Sequence, residues 1–342
     1  MNKVIISDPT LRDGNHAINH NITLEQISLY TKAADEAGID IIEVGHGNGL
    51  GASSLQLGLS KYSDHEIVNC ARENIKRSKL SVHVIPGFAK LDDIKSGIEN
   101  GVDIFRIASH CTEANITAKY IEFVRNKNKF AHGVLMMSHM ADLKTLVTQA
   151  KLMVNYGAQA IVIMDSAGAY FLDEVSDRIT ALVNALEVPI GFHAHNNLGL
   201  AVANTIIAVK CGASIIDATS RGFGAGAGNT PLEVLVAVLK KIGIYINADL
   251  YKVLDLSDFA EDILVKYTPT IKTTTIVSGL YGVFSGFEKH VIRLAKEFGI
   301  DPKELYKELG KRNLIAGQED LIIEISMNLK YQNQKTEPIK ND

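Results

Sequence analysis

The fold turns on the stretch Gly38-Ile39-Asp40-Ile41-Ile42-Glu43-Val44. A glycine suited to end a helix is followed by a buried-type apolar run. The same design recurs as Gly101-Val-Asp-Ile-Phe-Arg-Ile107, Gly157-Ala-Gln-Ala-Ile-Val-Ile163 and Gly212-Ala-Ser-Ile-Ile-Asp-Ala218. The four copies start 63, 56 and 55 residues apart. One further strand candidate lies between each pair: Leu80–Ile85, Ala131–Met136 and Ile190–His195. With Val4–Ser7 the count reaches eight strands. Apolar residues at three-and-four spacing predict helices over Leu24–Ala37, Leu91–Glu99, Leu143–Tyr156, Asp173–Leu186, Leu200–Val209 and Leu232–Ile242. Strands alternating with helices imply parallel pairing and right-handed crossovers.

These units predict an α/β chain whose residues 1–246 form a (β/α)8 TIM barrel, the usual length for that fold. A doubly wound open sheet is the competing architecture, but no GxGxxG follows the first strand. After Ile246 the alternation stops. Leu254–Val265, Glu288–Phe298 and Pro302–Leu309 read as helices, the last with Asp301 as its cap, and Leu321–Leu329 as helix or strand. A mostly helical C-terminal domain is expected over 247–330, followed by a polar, frayed tail over 331–342.

Composition narrows the function. The 342 residues are 46% hydrophobic with a formal charge of −4, which argues against a general nucleic-acid or anionic-membrane binder. Three scattered cysteines point to a reducing compartment, and no apolar run suits a signal or membrane span, so a cytoplasmic location is expected.

Barrel enzymes place their chemistry at the C-terminal ends of the strands. There the sequence offers Asp8, Arg12, Asp13 and His16 after strand 1, Glu43 on strand 2, Arg106 on strand 4 and Asp165-Ser166 after strand 6. Strand 7 ends in His193-Ala-His195. Strand alternation puts both imidazoles on one face, either to hold one metal ion or as two hydrogen-bonded lining histidines. Strands 1 and 7 of a closed barrel are separated only by strand 8, so Asp13 can join them. Two histidines and a carboxylate leave about three open positions on an octahedral ion, which suits Mn²⁺, and also Mg²⁺ or Fe²⁺, with a bidentate 2-oxo acid. Arg12, held by Glu43, can stabilise an enolate oxygen beside that ion, or form only a structural ion pair. His16 is an acid/base candidate by its near-neutral reference pKa. His20 and His46 are weaker candidates. The glycine-rich Gly222–Asn229 lacks the Lys-Ser/Thr of a phosphate loop and is expected to allow close backbone approach. Asn229 either adds an oxygen ligand or, the favoured reading, caps the helix starting near Pro231.

The motifs Thr10-Leu-Arg-Asp-Gly-Asn-His16, Ile42-Glu-Val-Gly-His-Gly47, His193-Ala-His-Asn-Asn-Leu-Gly199 and Gly222-Phe-Gly-Ala-Gly-Ala-Gly-Asn229 resemble those of the 4-hydroxy-2-oxovalerate aldolases. These are pyruvate aldolases of the DRE-TIM metallolyase superfamily, which also holds hydroxymethylglutaryl-CoA lyase and isopropylmalate synthase. Ala108-Ser-His-Cys-Thr-Glu113 and Gly317-Gln-Glu-Asp320 point to the aldolase branch. The resemblance implies a class II aldehyde-lyase that splits a 4-hydroxy-2-oxo acid reversibly into pyruvate and an aldehyde, as in aromatic hydrocarbon catabolism. It implies Asp13, His193 and His195 as ligands of a metal, usually Mn²⁺. Arg12 would hold the enolate, His16 would take the C4-hydroxyl proton, and Ser166 and His193 would contact substrate. A homo-oligomer, or a pairing with an acylating acetaldehyde dehydrogenase that receives the aldehyde through a tunnel, is the expected assembly.

Two positions depart from the family pattern. Phe284 stands where the family has a tyrosine in a G-V-Y-S-S-F stretch, and Tyr281 is the nearest replacement hydroxyl. Arg221 stands where an apolar residue is usual, and could read a more anionic substrate. A Claisen-type synthase or acyl-CoA lyase with the same triad, and a non-catalytic barrel subunit, are the alternatives.

Overall fold

A computed structural model describes residues 3–264, 268–315 and 317–336. The eight strands are β1 (Ile5–Leu11), β2 (Ile41–Val44), β3 (Lys79–Val84), β4 (Ile104–His110), β5 (Phe130–Met136), β6 (Ala160–Asp165), β7 (Ile190–Ala194) and β8 (Ile215–Asp217). They pair in parallel and in chain order, and β1 closes on β8 with Ile5 opposite Ile215. The closed ring excludes the doubly wound alternative.

The crossover helices are α1 (Leu24–Glu36), α2 (Asp64–Asn74), α3 (Leu91–Glu99), α4 (Ala118–Asn126), α5 (Leu143–Asn155), α6 (Leu172–Ala185), α7 (Ala201–Lys210) and α8 (Leu232–Lys241). Two of these, α2 and α4, escape the three-and-four pattern. α2 buries only Ile67, Val68 and Ala71, and its clearest mark is the Ser63–Glu66 capping box. α4 has nine residues and buries only Ile121 and Val124, too little for a period to show.

The repeat also encodes the barrel interior. Four-residue layers in such barrels come from alternate strands. The fourth repeat position supplies Ile41, Ile104, Ala160 and Ile215. The sixth supplies Glu43, Arg106, Val162 and Asp217, all buried. The first set is therefore an apolar floor layer and the second a largely ionic one above it.

Beyond the barrel lie α9 (Leu250–Ile263), α10 (Thr273–Leu280), α11 (Glu288–Phe298), α12 (Pro302–Gly310) and α13 (Glu319–Thr336). α9 buries Val253, Leu256 and Ala260 in the apolar core of the barrel. A second core gathers Phe287, Val291, Leu305, Tyr306, Leu309 and Ile322. Asp301 caps α12 by accepting from Lys303 N at 2.8 Å. α10 opens on three threonines, whose stiff side chains disfavour an isolated helix, and it forms by packing on α12. Leu321–Leu329 is helical, and α13 continues into the expected tail through Thr336. Residues 337–342, and Val265 of the expected Leu254–Val265 helix, lie outside the described residues. No described helix is long and apolar enough to cross a membrane.

Candidate metal centre and active site

One short turn, Asp13–His16, follows β1 and aims its side chains into the barrel mouth. Arg12 is 4% exposed. Its Nε donates to Glu43 Oε1 at 2.5 Å and its Nη1 to Asp13 Oδ1 at 2.5 Å. Its Nη2 has no partner, so the N–H groups of that nitrogen are left for a ligand. The Arg12–Glu43 pair expected from sequence is present. Glu43 is also met by Arg106, whose Nη1 lies 3.0 Å from Oε2. Burial would raise the Glu43 pKa, but Arg106 and Arg12 hold it below the ordinary value.

The three expected ligands converge. One donor atom from each of Asp13, His193 and His195 lies within 4.8 Å of the others, and all three residues are buried. His195 Nε2 stands 3.8 Å from Asp13 Oδ2. His193 bonds Asp217 Oδ2 through Nδ1 at 2.9 Å, and its buried Nε2 has no partner. His195 bonds the Asp165 carbonyl through Nδ1 at 3.0 Å. Both rings are thus fixed from behind, which leaves Nε2 as the forward atom, as in metal-binding histidines. Burial would raise the Asp13 pKa, but Arg12 and the imidazoles of His195, His16 and His193 hold it far below the usual range. Burial lowers His195 to about 4, so its imidazole is neutral at neutral pH. A dry, ionised carboxylate and two imidazoles held with Nε2 forward suit a borderline divalent cation, so the residues fit a divalent metal.

His16 lines the same cavity, with Arg12, Ser166, His83, Met136, Met164 and Phe284 among its neighbours. Its ring packs so closely on Gly47 that a Cβ there would lie 2.6 Å from Nε2. Burial lowers the His16 pKa to about 4, against the attraction of Asp13. It is therefore a neutral base, not an acid, at neutral pH. The cavity is only about 30 Å³, room for roughly one water. Ser166 accepts from Met137 N at 3.0 Å through Oγ, which leaves its hydroxyl proton free.

A strap from the C-terminal helices closes the mouth. His139 Nε2 bonds the Gly282 carbonyl at 3.0 Å, Ser285 N donates to the Ser166 carbonyl at 3.0 Å, and Asn197 Nδ2 donates to Ser285 Oγ at 2.9 Å. Phe284 sits between these anchors, edge-on to Phe287 with ring centres 5.3 Å apart.

Several expectations fail on geometry. Asn229 does not cap α8, whose N-cap is Pro231 with no side-chain bond. Its Nδ2 donates to Asp13 Oδ2 at 2.6 Å and its buried Oδ1 faces no partner. Gly224 permits that approach, since a Cβ there would lie 2.5 Å from Asp13 Oδ2. Tyr281 is 38% exposed and does not line the cavity, so it does not replace the missing hydroxyl. Arg221 has φ +55° and turns outward, where Asp258 and Glu261 pair with it at 2.5 and 2.8 Å. Asp8 faces α1 instead of the mouth and accepts from Tyr30 OH at 2.6 Å. His20 and His46 stack at 3.6 Å beside the site and bond loop backbone.

Asp217, in contrast, was absent from the expected set. It takes two bonds from Arg106, at 3.0 and 2.5 Å, besides that from His193. Its signal was its sixth place in the repeat, level with Glu43 and Arg106.

The HMGL-like family model matches residues 3–260, and the DmpG-like communication domain matches 269–331. A 4-hydroxy-2-oxovalerate aldolase of Pectobacterium atrosepticum is 52% identical over 335 residues, 98% of each chain. That of Spirochaeta aurantia is 52% identical over 328 residues, 96% of each chain. The carboxyl transferase domain of Rhizobium etli pyruvate carboxylase is similar in fold alone, with a TM-score of 0.83 at 16% identity over 96% of this chain and 61% of that one. With the barrel, the Asp13–His193–His195 centre and these relatives in agreement, the chain belongs to the 4-hydroxy-2-oxovalerate aldolase family.

Proposed function

We propose that the chain is a class II pyruvate aldolase that splits 4-hydroxy-2-oxovalerate, or a close 4-hydroxy-2-oxo acid, into pyruvate and an aldehyde. The observation that carries this is the meeting of three elements in one buried cavity: the Asp13–His193–His195 donor set, the unpartnered Arg12 Nη2 and the neutral His16. A divalent ion, Mn²⁺ by its mixed nitrogen and oxygen donors, supplies a Lewis acid for the 2-oxo group when bound. Arg12 Nη2 donates to the 2-oxo oxygen, and its hydrogen bond strengthens as the C3–C4 electron pair moves onto the enolate. His16 accepts the C4-hydroxyl proton as the aldehyde carbonyl forms. Ser166 Oγ–H is placed to bind the carboxylate, and Phe284 walls the C4 side. Protonation at C3 then completes pyruvate.

We further place the domain boundary after α9, which shares the barrel core, so that 269–331 forms the communication domain. That domain supports an acylating aldehyde dehydrogenase as partner, in a reducing compartment such as the cytoplasm that suits three free cysteines. The test is pyruvate release from 4-hydroxy-2-oxovalerate after chelation and Mn²⁺ restoration. Equal activity of chelated and restored protein rejects the reading, and turnover of acyl-CoA without pyruvate favours a Claisen-type enzyme.

A further inference from the structure

A cavity lies at the end of the barrel opposite the metal centre. It measures about 760 Å³, within the range of small-molecule sites, and shares no lining residue with the catalytic cavity. Its inner wall is the floor layer Ile41, Ile104, Ala160 and Ile215. Isoleucine fills three of these four positions, and alanine at 160 leaves the gap. His132 is the in-register neighbour of Ala160, so the gap uncovers its imidazole. His132 is 8% exposed and lines the cavity, and its imidazole has no hydrogen bond among the described residues. On its other side His132 is level with Arg106 of the ionic layer. Burial lowers its pKa to about 4, so the ring is neutral and offers one N–H.

The mouth of this cavity is cationic. Lys3, Arg77 and Lys79 line it, against one lining carboxylate, Asp40. Asp40 is already engaged by Lys3 Nζ at 2.8 Å, Ile6 N at 3.0 Å and Asn247 Nδ2 at 2.7 Å. Arg77 reaches the Asp35 carbonyl and pairs with its carboxylate at 3.7 Å, and Lys79 lies 4.0 Å from Asp103, yet both cationic side chains are more than half exposed and remain open to a ligand. Phe130 and Tyr245 add exposed aromatic walls. An apolar chamber, a cationic rim and an unmet imidazole describe a receptor for an amphipathic anion.

We propose that the N-terminal end of the barrel is a second binding site, for a small monocarboxylate with an apolar body. The apolar part fills the gap over Ala160 beside His132, and the carboxylate is held by Lys79 at the rim. The site does not rest on the aldolase reading, because its readout is binding.

Hexanoate and benzoate are the probes, with hexylamine as the control of opposite charge, followed by calorimetry and ligand-detected NMR on the full chain. Saturable binding of one acid per chain is expected, with Kd about 1 mM or tighter. Ala160→Leu, which fills the gap, and Lys79→Glu, which reverses the rim charge without touching the core, should each weaken binding about tenfold or more. Ser166→Ala, in the other cavity, should leave it unchanged. Lys79→Glu keeps the test valid if Ala160→Leu does not fold. The proposal is overturned if neither acid binds, if hexylamine binds as well as hexanoate, if Lys79→Glu binds normally, or if Ser166→Ala abolishes binding.

Discussion

Asp217→Asn is the sharpest test of how the metal centre is held. The amide keeps the shape of the side chain and removes its charge. Asp217 accepts three hydrogen bonds, two from Arg106 and one from His193 Nδ1. An amide has one acceptor oxygen and one donor nitrogen, so it cannot satisfy both sides. If the oxygen stays with His193, the NH₂ faces the guanidinium. If it stays with Arg106, the NH₂ faces His193 and favours the tautomer that protonates Nε2, the ligand atom. Loss of such an outer partner weakens metal binding about 10- to 100-fold, or roughly 1.4–2.7 kcal/mol. Arg106 keeps Glu43 as a partner, so the folding cost should lie at or below the low end of the roughly 3–5 kcal/mol for a broken buried pair. Mn²⁺ titration by calorimetry, with thermal melts in chelator, reads both numbers. A metal affinity within about twofold of the parent would refute the claim that Asp217 fixes His193.

Other outcomes are equally definite. His16→Gln should lower kcat about 10²- to 10⁴-fold while leaving Mn²⁺ affinity unchanged; a loss of metal instead would place His16 among the ligands. Because burial lowers His16 to about 4, its base form persists as pH falls from 7 to 5. The pH profile of kcat should therefore show no limb near 6.5 that His16→Gln removes. Phe284→Ala should raise kcat/KM for longer aldehydes relative to acetaldehyde about tenfold in the condensation direction, and an unchanged ratio would remove Phe284 from the acceptor wall. Arg221→Met should leave kcat/KM intact and cost about 1 kcal/mol in stability, since its two nearest carboxylate partners, Asp258 and Glu261, lie in solvent; a KM change would return it to the site.

The barrel was legible because a mostly apolar run after a helix-ending glycine repeats at similar spacing, and topology rules leave few ways to connect eight such strands. The candidate ligand cluster was legible for a related reason. His193 and His195 are two apart on one strand, and closure brings β1 within reach. Asp217 was not legible from its surroundings in the chain, because it lies 111 positions from Arg106 and 24 from His193. Only the layer rule, applied to the sixth repeat position, unites them. Arg221 and Asn229 show the complementary limit. Residue type suggested a substrate cation and a helix cap, but a left-handed backbone at 221 and a proline at 231 decided where those side chains could go.

The Phe284 departure also looks different in three dimensions. Along the chain it is a lost hydroxyl far from Arg12 and His16. In the fold it is the wall that the C-terminal helices contribute to a cavity otherwise built by the barrel. Three hydrogen bonds, from His139, Asn197 and the Ser285 amide, pin the strap on either side of it. The cavity of about 30 Å³ is smaller than a five-carbon acid, and the strap is the wall whose shift would enlarge it. The hydrogen bonds that seal the site therefore also oppose its opening, each by about 0.5–1.5 kcal/mol. Because the strap belongs to the same segment as the communication domain, any partner that displaces those helices acts on access to His16 directly. Phenylalanine at 284 fits that mechanical role. It lines the cavity and packs edge-on to Phe287 as a tyrosine ring would.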